Sequence, residues 1–350
     1  MAQEMETSLG LTVSRVTGGV EFSGRLEQMW EAALRLRLAN RILVRLGEFS
    51  ADGFSRLERR TAEIPWELWL PAHAEIEVVV TTHHCRLYHT GAVAERVKAV
   101  VSRALPEGEG QVPQKIYVRG ENDRFTLSLD AVGEPLYKRQ VKTHGGRAPI
   151  RETLASAILS MAGYTGEEPL VDPMCGAGTF SLEAAMQVTG TPVGLFRHFA
   201  FEQWPSFREK GFDHMKREAA GGGRLPTSPV IFASDLDGGA VERLQKTLDL
   251  MPFGEAVALQ SCDFFALDPA TLTAGPGLVV FNPPYGLRIK DGNDDLMRKL
   301  LSCLAARWKG WRTAIAIPRQ QVPRPLPPGF HEHPMSHGGL DLSVITGQIF

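Results

Sequence analysis

The sequence predicts an α/β protein, with a doubly wound, mostly parallel sheet over residues 140–350 and a smaller α+β region before it. Three observations predict it. From Arg151 onward, short apolar runs alternate with helical patterns, as strands joined by crossover helices do. Three of those runs lead into an aspartate: Asp172, Asp235 and Asp263. A fourth, Leu278–Phe281, breaks abruptly at Asn282-Pro283-Pro284-Tyr285. In open α/β sheets the carboxyl ends of the strands form the ligand crevice, so acids and a rigid corner at those ends are candidate site residues.

Composition narrows the function classes. At 350 residues the chain has room for two domains or three, each with its own core. A hydrophobic content of 43% and a charged content of 22% are ordinary for a globular protein. The net charge of −2 excludes a protein that coats polyanions by charge alone. One local bias is visible. Between Glu134 and Glu152 there is no acid, while Lys138, Arg139, Lys142, Arg147 and Arg151 are positive. That run fits a solvated linker and a phosphate-contacting hinge equally well. The four cysteines, Cys85, Cys175, Cys262 and Cys303, form no CxxC pair, which argues against zinc or an iron–sulfur cluster and fits a reducing compartment. His331, His333 and His337 lie in Pro-rich surroundings without helical register, so no metal is expected. No apolar run reaches membrane-spanning length, and the N-terminus lacks the features of a signal peptide, so a soluble cytoplasmic protein is predicted.

In chain order, Glu4–Leu11 reads as the tail of a helix, followed by Val13–Val16, a Gly18-Gly19 turn and a short strand at Val20–Phe22. The start reads as abbreviated, as if residues were missing upstream or the start codon were early. Leu26–Leu38 is amphipathic, with Leu26, Met29, Trp30, Ala33, Leu34 and Leu38 on one face. Asn40–Leu46 alternates as a strand, and Phe54–Ile64 is helical. Glu75–Thr81 is a strand, Thr90–Leu105 a helix, and Gln114–Arg119 with Arg124–Asp130 a strand pair turned at Glu121-Asn122-Asp123. After the basic run come a helix at Arg151–Ala162, a strand at Leu170–Asp172, a glycine loop at Cys175–Gly178 and a helix at Phe180–Gln187. Further strands are expected at Pro229–Ala233, Ala256–Gln260, Leu278–Phe281, Thr313–Ile317 and Leu342–Phe350. The aromatic stretch Phe199–Pro205 fits core packing or the wall of a cofactor pocket.

At the corner, two prolines remove two ladder donors and fix φ, so the chain must leave the sheet there. Acceptors on Asn282 (side-chain oxygen) and Pro283 (carbonyl) can hold an aryl amine with its lone pair directed at an electrophile. Tyr285 offers a ring on which an unstacked base can lie. The stretch resembles the Asn-Pro-Pro-Tyr motif of methyltransferases that modify an exocyclic amine of a nucleic-acid base. Residues 140–350 together resemble a Rossmann-like class I methyltransferase domain, its motifs in order. The resemblance implies S-adenosylmethionine as donor and no metal. It implies donor contacts from Asp172, Cys175, Gly176, Gly178, Thr179, Asp235, Asp263 and Phe264, and from Pro149 in a segment that closes over the donor. Chemically, the donor's carboxylate suits the helix N-terminus and its ammonium suits Asp172. The ribose hydroxyls suit Asp235, and the adenine amine suits Asp263.

Upstream, Gly18–Phe22, Arg37–Arg41, Ile64-Pro65-Trp66, Thr126–Asp130 and Gly133–Leu136 resemble the N-terminal part of the THUMP-containing RNA methyltransferases. That resemblance implies a ferredoxin-like subdomain over 1–46, a THUMP RNA-binding domain over 47–139 and structured ribosomal or transfer RNA as partner. Arg86, Lys138, Arg139, Lys142 and Arg147 are the candidate RNA contacts, and a monomer is expected. Two rivals are weaker. A nicotinamide dehydrogenase would need a third glycine after Gly176-Ala177-Gly178. A non-catalytic RNA-binding protein would not keep every polar group of the donor set. The resulting reading is methylation of an exocyclic amine; the resemblance implies guanine N2, with adenine N6 in DNA or RNA as the alternative.

Overall fold

The computed structural model describes residues 1–72, 74–105, 112–142, 150–223, 225–284, 293–337 and 339–350. They form two compact units, one of residues 1–138 with 196–217, the other of 139–195 with 218–350.

The first unit opens with α1 (Ala2–Leu9), then the hairpin of β1 (Ser14–Val16) and β2 (Gly19–Glu21), and α2 (Leu26–Arg35). It continues through β3 (Leu43–Ser50), α3 (Phe54–Ala62), β4 (Ala74–His83), α4 (Thr90–Ala104), β5 (Val112–Glu121) and β6 (Arg124–Asp130). The sheet order is β3-β6-β5-β4, with β4 and β5 parallel and the other pairs antiparallel. Asn122 and Asp123 both take positive φ, 50° and 61°, which turns β5 into β6 as the polar dipeptide predicts. β3 runs further than the alternation of Ile42, Val44 and Leu46 indicates, because a bulge between Arg45 and Gly47 resets the register and lets Phe49 continue the buried face. A subdomain boundary drawn at 46/47 therefore falls inside β3.

The aromatic stretch belongs to this unit's core. Phe199, Phe201, Trp204 and Phe212 are buried with Trp30, Trp66 and Phe125. Phe201 stacks on Phe199 at 5.0 Å, and Trp204 Nε1 donates to Gln114 Oε1 at 3.0 Å. Among the described residues these rings pack as core, the first of the two readings. Arg197, at the start of the stretch, donates to the carbonyls of Val132, Glu134, Pro135 and Lys138 and so ties it to the chain after β6.

In the second unit α5 (Glu152–Met161) leads to β7 (Leu170–Asp172) and α6 (Thr179–Val188); α7 (Glu209–Gly221), after the aromatic stretch, belongs to the first unit up to Arg217. Then come β8 (Ile231–Asp235), α8 (Gly238–Asp249), β9 (Val257–Ser261), β10 (Leu278–Phe281), α9 (Asn293–Arg307), β11 (Arg312–Pro318), β12 (Phe330–His337) and β13 (Leu340–Gln348). The sheet order is β12-β13-β11-β10-β7-β8-β9. β7 to β11 are parallel to one another, and β13 and β12 add antiparallel edges. This is the α/β, mostly parallel sheet that the alternation predicts. All four residues of β10 are buried on both faces, and Val279 and Phe281 pack with Phe264, Trp308 and Ile315.

β12 is a difference. A proline argues against a strand, yet Pro334 sits on the outermost strand, where a missing N–H costs nothing on the open side. His331 and His333 alternate along it, and His333 Nε2 lies 2.9 Å from Thr346 Oγ1. Among the described residues no helix is long and apolar enough to cross a membrane.

Within the basic run, Arg139 is not part of a solvated linker. Arg139 is only 3% exposed, and its Nε donates to Glu183 Oε1 at 3.0 Å. Glu183 is fully buried on α6 and accepts from Ser156 of α5 as well. Removing one partner of such a pair strands a charge in low dielectric. Arg139→Met is therefore expected to cost about 3–5 kcal/mol, read as a lower urea midpoint with unchanged slope. A midpoint within error of wild type would show that the pair contributes nothing net.

Candidate active site at the carboxyl edge of the sheet

Strand order reverses between β7 and β10, the neighbours at the centre of the sheet. Because the two are parallel, with Leu278 opposite Leu170 and Val279 opposite Val171, Asp172 and Asn282 leave the sheet at the same edge. β8 ends there at Asp235, and Asp263 follows β9 by two residues. Four candidate residues from four strands thus converge on the switch-point edge, where crevices form.

Asp172 is 1% exposed; its Oδ2 accepts from Ser181 Oγ at 2.7 Å and from Ser181 N at 3.3 Å. No cation pairs with it among the described residues. Burial pushes its carboxyl up to about 7, the charge of Asp235 adds to this, and the Ser181 bonds oppose it. Asp235 is half-buried and holds the loop. Its Oδ2 accepts from Gly176 N at 2.8 Å and its Oδ1 from Asp237 N at 2.9 Å. Asp263 is exposed, with Oδ1 accepting from Phe265 N at 3.0 Å.

Both loop glycines are required. Gly176 has φ 52° and would have nothing within 4 Å of an added Cβ, so the backbone there faces open space. Gly178 has φ 72°, and a Cβ on it would fall 2.4 Å from Leu244 Cδ1 of α8. Cys175 donates its N–H to Ser234 O at 2.9 Å; burial, then Asp172 and Asp235, push its thiol up, so it is no nucleophile. Thr179 is buried at the first position of α6.

Some expected contacts are redistributed. The Phe264 side chain is 2% exposed and packs edge-on to Phe281 at 5.0 Å, so only its backbone can reach the crevice. Asn282 is half-buried, Pro283 buried and Pro284 exposed. Tyr285, Pro149 and Arg147 lie outside the described residues. As an RNA contact Arg139 is corrected by its burial against Glu183. Lys142 is largely buried, its ammonium 2.7 Å from Thr179 Oγ1 and 2.8 Å from Glu152 Oε1. Lys138 is exposed beside Glu134, and Arg86 is exposed within 3.4 Å of Asp123 Oδ2. Ser181, which donates to Asp172, is a candidate site residue that sequence reasoning misses; a hydroxyl in the first turn after a glycine loop could have signalled it.

Comparison with known proteins converges on one family. An RMKL-like methyltransferase domain matches residues 139–325, and an RlmL ferredoxin-like domain matches residues 1–43. The chain is 29% identical to the ribosomal RNA large subunit methyltransferase K/L of Syntrophotalea carbinolica, over 100% of this chain and 52% of that protein. The chain thus spans about half the length of this K/L relative. It is 28% identical to the proposed RNA methyltransferase slr0064 of Synechocystis, over 100% of this chain and 93% of that one. Among solved structures, SMU.472, a proposed methyltransferase complexed with SAH, superposes with a TM-score of 0.86 at 26% identity, covering 100% of this chain and 94% of that one. The first match covers more than half of the chain, which therefore belongs to the RMKL-like methyltransferase family.

Proposed function

We propose that this chain methylates an exocyclic amine of an RNA base, guanine N2 in ribosomal or transfer RNA, with S-adenosylmethionine as donor. The observation that carries the reading is the pairing of β7 with β10, which brings the Asp172 loop and the Asn282 corner to one edge. The residues suit the donor. A buried carboxylate without a described cation suits an ammonium, and the open space over Gly176 admits a ligand against the backbone. Asp235 keeps lone pairs beyond its bonds to Gly176 and Asp237 for two ribose hydroxyls.

When bound, the donor supplies a methyl group on a sulfonium. Asn282 Oδ1 and the Pro283 carbonyl accept the two amine hydrogens and turn the nitrogen lone pair toward that methyl. The chemistry such a donor would supply is in-line transfer of that methyl, its bond to sulfur exchanged for one to nitrogen and a neutral thioether left behind. The nitrogen, now cationic, releases its proton to water, so no general base is required beforehand. The residues act by positioning and electrostatics. RNA is held by the first unit, with THUMP-type recognition; Arg86 and Lys138 remain its candidate phosphate contacts, and the protein acts as a monomer in the cytoplasm.

Nucleoside mass spectrometry of RNA from a deletion strain tests this directly. Loss of N2-methylguanosine at one site, mapped by primer extension, is expected; loss of N6-methyladenosine instead favours the alternative. The donor half has its own test. Asp235→Ala is expected to weaken donor binding by about 2–3 kcal/mol, because two charge-assisted bonds and the Gly176 anchor are lost. Unchanged calorimetric affinity in a folded variant removes Asp235 from the site.

A further inference from the structure

The acids that define the crevice pose an electrostatic problem for the proposed donor. Asp172, Asp235 and Asp263 gather at one edge, and Asp172 is buried beside the charge of Asp235. The amino-acid end of S-adenosylmethionine carries a carboxylate as well as an ammonium. Asp172 attracts the ammonium and repels the carboxylate. Over the few ångströms that separate the two groups, a helix N-terminus alone supplies only partial positive charge. A full cation beside that end would change the balance, because the site is partly desolvated.

The second unit holds such a cation. Lys142 keeps 15% of its side chain exposed, and its Nζ lies 2.7 Å from Thr179 Oγ1 and 2.8 Å from Glu152 Oε1. Thr179 is the first residue of α6, directly after Gly178 with its φ of 72°. An ammonium has three donors, and two are used by Thr179 and Glu152. The third has no partner among the described residues. Arg139 is committed to Glu183 deeper along the same helix and does not compete for this place.

We propose that Lys142 recognises the donor's carboxylate, its third N–H completing the anion site formed with the first turn of α6. Glu152 orients the ammonium and partly neutralises it. The inference rests on the donor reading above and adds a residue to it: a cation that the basic run would otherwise assign to RNA.

The test compares two ligands that share the adenosine. S-adenosylhomocysteine carries the amino-acid end; 5′-methylthioadenosine lacks both its charges. On the full chain, calorimetry should show Lys142→Met weakening S-adenosylhomocysteine by about 10- to 100-fold, the range for a lost charge-assisted bond. Affinity for 5′-methylthioadenosine should change less than about twofold by the same argument, since no carboxylate is present. Lys142→Arg should restore most of the difference. Glu152→Gln, which frees the ammonium of its acid, should hold or tighten S-adenosylhomocysteine; it keeps the proposal testable if the methionine variant does not fold. Equal weakening of both ligands would make Lys142 a structural brace and overturn the assignment, as would no change in either, or a Glu152→Gln loss matching that of Lys142→Met. Failure of the wild-type chain to bind either ligand would instead overturn the donor reading itself.

Discussion

Replacing Asn282 by alanine is expected to slow single-turnover methylation by at least about 10²-fold while leaving the fold and donor affinity near normal. The residue follows four fully buried residues of β10 and is itself only half-buried. Removing its amide therefore opens no core cavity, and Pro283 and Pro284 still fix the corner. The glycine loop and the three aspartates are untouched, so the donor keeps its contacts. RNA affinity should fall modestly, because phosphate contacts dominate it. What is lost is the acceptor that orients the amine, and misorientation acts on the chemical step. Asn282→Asp keeps an acceptor and should lose less. Saturating enzyme against a single turnover of RNA measures the step directly. An alanine variant at near full rate would reduce the corner to a turn and take the catalytic assignment with it.

The fold class and the strand ends that carry the candidate residues were legible in the sequence, and the reason is physical. Apolar runs that end in Asp172, Asp235 and Asp263, and one that ends in two prolines, signal strand ends without any tertiary knowledge. Their convergence then follows from parallel topology. Charge partners are another matter. Lys138 to Arg151 holds no acid, so it reads as a hinge; Glu152 and Glu183, which capture Lys142 and Arg139, come from α5 and α6. Phe264 next to Asp263 invites assignment to an adenine wall, but packing against Phe281 and Trp308 takes its ring into the core. The aromatic density of 199–204 marks a core correctly. It carries no sign that the core is the one around Trp30, because contacts distant in sequence leave no local periodicity.

The largest effect after Asn282 is expected at Asp172, and it should carry opposite signs for stability and for binding. Burial raises this carboxyl from 3.8 to about 7. Between those values the folded protein holds a proton that the unfolded chain has released, so the contribution to stability is complete below pH 4 and is lost as pH rises through 7. Asp172→Asn is nearly isosteric and does not titrate. Relative to wild type it should therefore gain stability progressively from pH 4.5 to pH 8. About three pKa units at ~1.4 kcal/mol each set a ceiling near 4 kcal/mol. The asparagine's amide hydrogens, buried without the right acceptors, take back ~1–3 kcal/mol. A net gain of at most about 1–3 kcal/mol at pH 8 remains, a rise of several degrees in melting temperature, shrinking to nothing or reversing at pH 4.5. Donor binding should move the other way. Without the carboxylate the ammonium loses its counter-charge, and affinity at pH 8 should drop by about 10²-fold. In the wild type the same affinity should decline as pH falls below 7 and the carboxyl takes up its proton. Thermal melts of both proteins at the two pH values, with calorimetry at pH 8, read all of this. A variant destabilised equally at both pH values would show that Asp172 is held for packing, and one that keeps full donor affinity would show that its charge faces no ammonium.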